Sequence, residues 1–291
     1  MRHAVLGAGG VGGLVGAALA HDGRDVVLLM RSESRAAYDG RLHVESVVLG
    51  DFEVEVPAAT ALDREVDVIW VTPKATQLAD ALELVSSEAS AGMTIVPLLN
   101  GLDHVTVLRA RYGSEAVLPG VVYVESERAG VGRIAQKSAF ALVELAPHPL
   151  ADALSAELEA TGLSCAVGAS EAAVLLRKLA TLGPVALTTT ALQAPLSSVM
   201  GDPAWRSRIE ASMREVAAVA AAEGVEFDVD ATLALCEGAG DMRSSMQKDR
   251  EAGLPLELDA IGGAIIRASE RHGLEAPATQ ALVDEIAAGT R

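Results

Sequence analysis

The sequence predicts an α/β fold, in which a doubly wound parallel sheet is followed by an all-helical C-terminal domain. Two patterns carry this prediction. Up to about residue 168, short runs of β-branched residues alternate with helical stretches, which is the order that builds a parallel sheet covered by helices. Beyond Gly168 the strand signals stop and long helical stretches rich in Ala and Leu begin. We therefore expect two domains, at residues 1–168 and 169–291.

The elements of the first domain follow from short apolar runs bounded by turn residues. A hairpin is expected after the second strand, where residues 42–49 pair with residues 52–56. Residues 130–132 are expected to form a turn, and residues 163–167 an edge strand. The other predicted strands of this domain cover residues 3–6, 25–30, 66–72, 94–98, 116–122 and 140–145.

The second domain is predicted to be helical throughout. Its first helix is apolar on nearly all faces, so we expect this helix to be buried. Gly183-Pro184 lies inside it and is expected to break or kink it, because proline lacks the backbone N–H and crowds the preceding turn. The predicted helices cover residues 171–192, 203–223, 230–237, 256–272 and 277–288.

Composition and charge exclude several classes of protein. With 291 residues, of which 50% are hydrophobic and 22% charged, the chain is typical of globular domains. The net charge of −17 and the lack of a Lys/Arg cluster argue against nucleic-acid binding, so we expect small-molecule partners. Cys165 and Cys236 stand far apart and the histidines lack metal-binding spacing, so we predict no metal site and a reducing, cytoplasmic location. The N-terminal apolar run is interrupted by glycines, which argues against a signal peptide or a membrane span. We therefore expect no membrane partner.

The strongest local signal is a glycine-rich turn between a predicted strand and a helix. In this context the first glycine permits a tight turn, the second lets the backbone approach a pyrophosphate, and the third lets the helix pack closely on the strand. The N-terminus of the helix would face the phosphates with free N–H groups. The motif predicts a Rossmann-type dinucleotide-binding domain. It comprises Gly7-Ala8-Gly9-Gly10-Val11-Gly12.

The end of the second predicted strand indicates which dinucleotide binds. An acidic residue there would accept hydrogen bonds from the ribose 2′-OH of NAD. The strand ends instead in Arg31-Ser32, and a guanidinium suits a 2′-phosphate, so we predict NADP(H) as the cofactor. The alternative is that Arg31 is a solvated surface residue, and the nearby Glu33 keeps this alternative open.

Polar residues follow the third and fourth strands of the predicted sheet. Ligands of open α/β sheets bind beyond the carboxyl ends of the strands, which makes Lys74 and Asn100 candidates for the binding site. The Asn100 amide can contact a nicotinamide ribose or a substrate carboxylate. The alternative is that Asn100-Gly101 only forms a turn and that Lys74 is a surface charge at a helix start.

Two charged residues stand out in the helical domain. Lys178 lies in an apolar helix, so either its stem is buried while the ammonium reaches solvent, or it is a functional amine. Burial would lower its pKa, and a carboxylate nearby would limit the fall. Glu257 lies behind Pro255 in the first turn of a predicted helix, where a carboxylate also simply complements the helix dipole. Ser244 is a candidate helix-start residue.

Together these motifs resemble the ketopantoate reductase family, the 2-dehydropantoate 2-reductases, from residue 1 to about residue 288. The resemblance implies a Rossmann domain that binds NADPH, followed by a helical domain of the 6-phosphogluconate dehydrogenase C-terminal type that binds a 2-oxo acid. The blocks that match in order, after the glycine motif, are Val71-Thr72-Pro73-Lys74, Asn100-Gly101, Arg177-Lys178-Leu179-Ala180, Ser244-Ser245-Met246 with Asp249, and Glu257-Leu258-Asp259.

The resemblance also implies a role for each matched residue. Lys178 matches the family's catalytic lysine, which donates a proton to the carbonyl oxygen. Glu257 matches the glutamate beside that lysine, which also contacts the cofactor ribose. Asn100 matches an asparagine near both nicotinamide and substrate. The other matches are Lys74 with a lysine of the binding cleft, Ser126 with a backbone contact to the cofactor, and Ser245 with a serine that binds the substrate.

Three positions depart from the family pattern. Leu182, Ala186 and Leu196 stand where the family has asparagines that hold ketopantoate. Each missing amide removes hydrogen bonds of about 0.5–1.5 kcal/mol, so we expect a more apolar pocket. The expected function is still the NADPH-dependent reduction of a 2-oxo acid, foremost of ketopantoate to pantoate in pantothenate biosynthesis. The alternatives are a reductase of a more apolar carbonyl or imine and a non-catalytic NADP-binding sensor, and a homodimer stays open as the assembly.

Overall fold

The computed structural model describes residues 1–86 and 92–289, so the last two residues of the predicted 169–291 domain lie outside the described residues. Contacts divide the chain into two compact units. Unit 1 comprises Met1–Leu99 and His104–Val174, and unit 2 comprises Asn100–Asp103 and Leu175–Arg291. The division falls beyond residue 168 because the start of the next helix packs within unit 1, where Arg109 Nη1 donates to Glu171 Oε1 over 2.9 Å.

The elements of unit 1 are mostly strands. Its short helices are α1 (Gly10–His21), α2 (Ser32–Ala36), α3 (Leu78–Leu82) and α5 (Ala151–Ala160), while α4 (Asp103–Tyr112) begins on the last residue of the short unit 2 segment. The strands are β1 (Arg2–Leu6), β2 (Asp25–Leu29), β3 (Arg41–Ser46), β4 (Phe52–Glu55), β5 (Ala58–Ala59), β6 (Val68–Val71), β7 (Thr94–Pro97), β8 (Gly120–Gly130), β9 (Arg133–Leu145) and β10 (Ser164–Val167).

The first sheet of unit 1 is parallel and confirms the predicted fold class. Its strand order is β5-β2-β1-β6-β7, so the chain runs outward in both directions from β1, as in a doubly wound sheet. Its strands are mostly apolar, and every residue of β6 and β7 is buried. Because ligands bind where the strand order reverses, this topology predicts a ligand site at the carboxyl ends of β1 and β6.

The second sheet of unit 1 corrects the strand assignment. Residues 116–122 and 140–145 were predicted as strands of the parallel sheet, but β8 and β9 form an antiparallel hairpin in a separate sheet of order β10-β9-β3-β4. The strand predicted at 116–122 begins only at Gly120 and extends to Gly130. The local pattern indicates a strand but does not identify its partners, which explains the difference. The β3–β4 hairpin, the turn after Gly130 and the edge strand β10 are confirmed.

Unit 2 is helical, as predicted. The helix α6 (Glu171–Leu192) continues through Pro184, so the break considered there is absent, and buried residues lie on both sides of the proline. The helix predicted at 256–272 begins with a π-helical turn at Asp259–Gly263. Two short helices, α7 (Leu196–Gly201) and α10 (Ser245–Glu251), were not predicted. Among the described residues, α6 is the one helix long and apolar enough to cross a bilayer, and 72% of its most apolar window is buried inside the protein. The helices are α6 (Glu171–Leu192), α7 (Leu196–Gly201), α8 (Pro203–Ala222), α9 (Val229–Gly238), α10 (Ser245–Glu251), α11 (Ala264–Arg271) and α12 (Pro277–Ala288).

Candidate active site

The glycine turn follows β1 and opens α1, as the motif predicts. Gly7 has a φ of +94°, and a Cβ there would come within 2.8 Å of the Pro73 backbone nitrogen. Only glycine tolerates both conditions without strain. The Gly9 N–H donates to the Gly7 carbonyl oxygen over 2.7 Å, which closes the tight turn before the helix.

The remaining glycines of the turn let other backbone segments come close. A Cβ on Gly12 would overlap Thr72 and come within 2.9 Å of Val5 Cγ1, so the predicted helix–strand packing is present. Gly10 lies against the Ser126 backbone, and Ser126 Oγ donates to the Gly10 carbonyl oxygen over 2.8 Å. At Gly9, by contrast, nothing lies within 4 Å of a Cβ position, so an outside group can approach the backbone there. The turn therefore fits a dinucleotide pyrophosphate.

Two basic residues of unit 1 lie just after strands of the first sheet. Arg31 is exposed at the start of α2, and within the described part of the chain its guanidinium has no protein partner. Lys74 is half-buried and precedes the helical turn Ala75–Gln77 at the end of β6. Both positions agree with the predicted carboxyl-end site. The structure leaves the surface-arginine alternative for Arg31 open, because an exposed arginine fits both interpretations.

In unit 2, Lys178 has an unusual charge environment. It lies half-buried on α6, and its pKa is lowered to about 8. Burial of the ammonium is the main cause, and the negative charge of Glu257 opposes it. These are the two opposing effects that the sequence predicts. Glu257 is itself buried, with 5% of its surface exposed.

Asn100 joins this pair from another part of the sequence. It lies in the short segment Asn100–Asp103, which groups with unit 2, and its Nδ2 donates to Glu257 Oε2 over 3.3 Å. The structure thus groups Asn100, Lys178 and Glu257, which local patterns indicate one by one and of which the resemblance implies that Glu257 lies beside Lys178. Chemically, the group offers a proton donor of lowered pKa and a carboxylate whose position is held by an amide.

Close backbone packing explains why these segments meet. A Cβ on Gly183 of α6 would come within 2.7 Å of Ile265, and one on Gly262 would come within 3.2 Å of Leu187 of α6. The segment that carries Glu257 can therefore lie tightly against α6. Gly101, with a φ of +85°, packs directly on the carbonyl of Ala260 in the π-helical turn. A simple turn was the alternative interpretation of Asn100-Gly101, and no local pattern indicates this long-range contact.

The two adjacent serines of the predicted substrate block have different environments. Ser245 is exposed as the first residue of α10. Ser244 is buried and confirms the helix-start interpretation, because its Oγ accepts from the Gln247 N–H over 3.1 Å. It also bonds Thr189 Oγ1 of α6 over 2.8 Å, a partner that sequence analysis missed.

The three positions that lack the family's asparagines are not equivalent. Ala186 and Leu196 are almost fully buried and pack in the hydrophobic cores of unit 2. Leu182 is half-buried, one helical turn after Lys178. Only Leu182 among the three therefore retains surface with which it could contact a ligand beside the lysine.

The fold and the two groups of residues define a class: a dinucleotide-dependent oxidoreductase with a Rossmann-type unit and a helical unit. The profile of the ketopantoate reductase PanE/ApbA family matches residues 3–148, and that of its C-terminal region matches residues 172–289. The chain belongs to this family. It is an oxidoreductase of the 2-dehydropantoate 2-reductase type.

Individual relatives match along nearly the whole chain. A 2-dehydropantoate 2-reductase from Mycobacterium tuberculosis is 30% identical over 295 residues, which cover 99% of this chain and 97% of the relative. YkpB of Bacillus subtilis, described as an uncharacterized oxidoreductase, is 28% identical over 293 residues, covering 97% and 96%. The crystal structure of 2-dehydropantoate 2-reductase from Geobacter metallireducens GS-15 has a TM-score of 0.90 at 26% identity, covering 99% of this chain and 100% of that one.

Proposed function

We propose that this protein catalyses the NADPH-dependent reduction of a 2-oxo acid to a 2-hydroxy acid, with 2-dehydropantoate as substrate and pantoate as product. The observation that carries the proposal is Lys178, whose pKa is lowered to about 8 beside the buried carboxylate of Glu257. Such a lysine is mostly protonated at neutral pH and gives up its proton more readily than an ordinary lysine. Membership of the family supports the reaction type.

In this mechanism Lys178 acts as the general acid. When bound, NADPH supplies the hydride that the carbonyl carbon takes up. The Lys178 ammonium polarises the carbonyl and transfers a proton to its oxygen, which becomes the hydroxyl of the product. The neutral amine then takes a proton from solvent. A pKa of about 8 is close to the working pH, so Lys178 can both release its proton to the carbonyl oxygen and take one up again from solvent.

Glu257 and Asn100 set the state of that lysine. The carboxylate keeps the ammonium charged despite burial, and the Asn100 amide holds one carboxylate oxygen through a 3.3 Å hydrogen bond. By family resemblance, Asn100 and Glu257 also contact the cofactor, and Asn100 and Ser245 the substrate. We include Lys74 and Ser126 in the cofactor site on the same basis.

The choice of NADPH over NADH is proposed from Arg31. We expect Arg31→Ala to raise the Kd for NADPH roughly 10- to 100-fold, because a charge-assisted bond to the 2′-phosphate is lost, and to leave the Kd for NADH unchanged. Arg35→Ala is the matched control, since Arg35 lies on the same helix but donates to the Ala58 backbone. Fluorescence titration measures both constants. An equal loss for both dinucleotides would exclude this role for Arg31.

The substrate is tested by NADPH oxidation with 2-dehydropantoate, beside 2-oxo acids of increasing apolar bulk. We expect turnover of 2-dehydropantoate, and a fall in kcat of about 100-fold or more in Lys178→Ala with little change in NADPH affinity. Lys137→Ala is the control, because Lys137 pairs with Glu127 on the surface of unit 1. Equal losses in kcat and NADPH affinity would refute the acid role of Lys178.

A more apolar carbonyl substrate is the second candidate. It is favoured by Leu182, which stands one helical turn after Lys178 where the family has an amide. Turnover of the bulky apolar 2-oxo acids but not of 2-dehydropantoate would select this candidate and retain the rest of the mechanism. A homodimer stays a prediction, which static light scattering of the purified protein tests.

A further inference from the structure

A single arginine of unit 2 joins the two chain segments that carry Asn100 and Glu257. Arg267 Nε and Nη2 donate to Asp103 Oδ2 over 3.1 and 2.7 Å. Its Nη1 donates to Asp259 Oδ1 over 2.7 Å, and its Nη2 also reaches the Asp259 carbonyl oxygen over 3.0 Å. One guanidinium therefore binds two carboxylates and one backbone carbonyl at once.

The two carboxylates lie close in sequence to the two site residues. Asp103 is in the same short segment as Asn100, and Asp259 follows Glu257 by two residues. The segments also touch directly where Gly101 packs on the Ala260 carbonyl. Two contacts, one of the backbone and one of the guanidinium, therefore link the segments that carry Asn100 and Glu257.

We propose that Arg267 is a positioning residue that holds the hydrogen bond between Asn100 and Glu257, and through it the placement of Glu257 relative to Lys178. The catalytic consequence rests on the function proposed above. Arginine suits this task because its planar fork engages two acceptors in fixed directions, which a lysine ammonium does not. The hydrogen bonds that Arg267 donates to the carboxylates of Asp259 and Asp103 keep its pKa above its ordinary value, so its charge is constant.

A role in overall stability does not explain this arrangement. The Arg267 and Asp103 side chains are each 40% exposed and that of Asp259 is 86% exposed. Ion pairs with this exposure contribute little to the free energy of unfolding. We therefore expect Arg267→Met to fold normally and to show its effect locally.

The test reads the pKa of Lys178 directly, without catalysis. The chain has only four lysines, so carbon-13 lysine labelling gives few NMR signals, and Lys178→Arg identifies the one of interest. In Arg267→Met we expect the Lys178 pKa to fall by about half a unit or more below its wild-type value, because Glu257 no longer opposes burial as closely. Loss of a cation by long-range electrostatics alone would raise this pKa, so the sign separates the two explanations.

Three further variants complete the test. Asp103→Asn removes the other half of the contact and retains the shape of the side chain, so it should also lower the Lys178 pKa. Loss of a negative charge alone would lower this pKa too, so the double variant, in which the two charge effects oppose each other, separates positioning from long-range electrostatics. The double variant should show no further fall, since both changes break one interaction. Arg214→Met is the matched control: Arg214 also bridges two carboxylates, those of Glu210 and Asp230, on the surface of unit 2.

The kinetic arm uses the same variants with NADPH and the 2-oxo acid that turns over. We expect kcat to fall about tenfold in Arg267→Met and to be unchanged in Arg214→Met. An unchanged or raised Lys178 pKa in Arg267→Met overturns the positioning role. If instead the pKa falls but wild-type protein reduces no 2-oxo acid, the positioning role stands and the proposed function fails.

Discussion

At the scale of single residues, the chemistry depends on a balance at Lys178. Burial lowers the pKa of this ammonium and the charge of Glu257 raises it, with a net value of about 8. If either effect acted alone, the lysine would be a poor catalyst. Without burial it would hold its proton too tightly, and without the carboxylate it would lose its proton at a lower pH.

This balance predicts the pH dependence of the reaction. Reduction needs a protonated lysine, so kcat should fall as pH rises through about 8. In Glu257→Gln the opposing charge is removed, the Lys178 pKa falls, and the basic limb of the profile should move down by roughly one pH unit. Steady-state kinetics between about pH 6 and pH 10 measure the basic limb of this profile. A limb that stays in place would show that another group limits the reaction.

Local patterns indicate these residues one by one, whereas their proximity was implied only by the family resemblance. The lysine within an apolar helix is one local signal. The carboxylate that follows Pro255 is another. The Asn100 bond to Glu257 joins positions 157 residues apart, and no periodicity carries that information. For the same reason, the sequence did not reveal that Ala186 and Leu196 pack in cores and leave only Leu182 partly exposed.

At the scale of elements, α10 illustrates how a helix start can be confused with a binding site. Ser244 bonds both the Gln247 N–H and Thr189 of α6, and Thr189 Oγ1 in turn bonds the Val185 carbonyl oxygen over 2.8 Å. The Ser244 hydroxyl therefore joins α10 to α6. Ser245, next along the chain, is exposed and free of this structural task.

The adjacent serines provide a matched pair of variants. Ser244→Ala removes a cap and a buried hydrogen bond, so we expect it to lower the free energy of unfolding by about 1–2 kcal/mol. Ser245→Ala should leave stability unchanged and, if Ser245 binds the substrate, should raise KM several-fold. Urea unfolding and steady-state kinetics on both proteins measure these effects. The reverse assignment of the two effects would contradict both roles.

The helices of unit 2 could be predicted more completely than the sheets of unit 1. Helical periodicity is a local property, and the bounds 171–192 and 277–288 agree with α6 and α12. The sheet to which a strand belongs depends on partners that are distant in sequence. The separate second sheet and the length of β8 could therefore not be predicted from the sequence. Pro184 shows that a local signal can also mislead within a helix, because burial around it overrides the tendency of proline to end a helix.

At the scale of the whole molecule, a buried histidine ties the stability of unit 1 to pH. His3 is 1% exposed, its Nδ1 accepts from Trp70 Nε1 over 3.3 Å, and its Nε2 lies 3.1 Å from Glu157. Burial lowers its pKa to about 4, against the opposing charge of Glu157. The folded protein therefore keeps this imidazole neutral at pH values where the unfolded chain takes up a proton.

The pH dependence of unfolding follows from that difference. Above pH 6.5 His3 is neutral in both states, and between 6.5 and about 4 only the unfolded state binds the proton, so stability falls as pH falls. We expect the stability lost through His3 to be roughly 3 kcal/mol or less over this window. His3→Gln should remove that part, so the difference in unfolding free energy between wild type and variant should shrink toward pH 4.

His43 provides a control of opposite sign. Hydrogen bonds to Asp39 and Glu53 raise its pKa, so its contribution to stability is present at low pH and lost as pH rises. His43→Gln should therefore cost more at pH 5 than at pH 8, whereas His3→Gln should cost more at pH 8. Urea unfolding followed by Trp70 fluorescence in a Trp205→Phe background reads unit 1, because these are the two tryptophans of the chain. The same pH trend in both histidine variants would show that other groups govern acid unfolding and that His3 titrates normally.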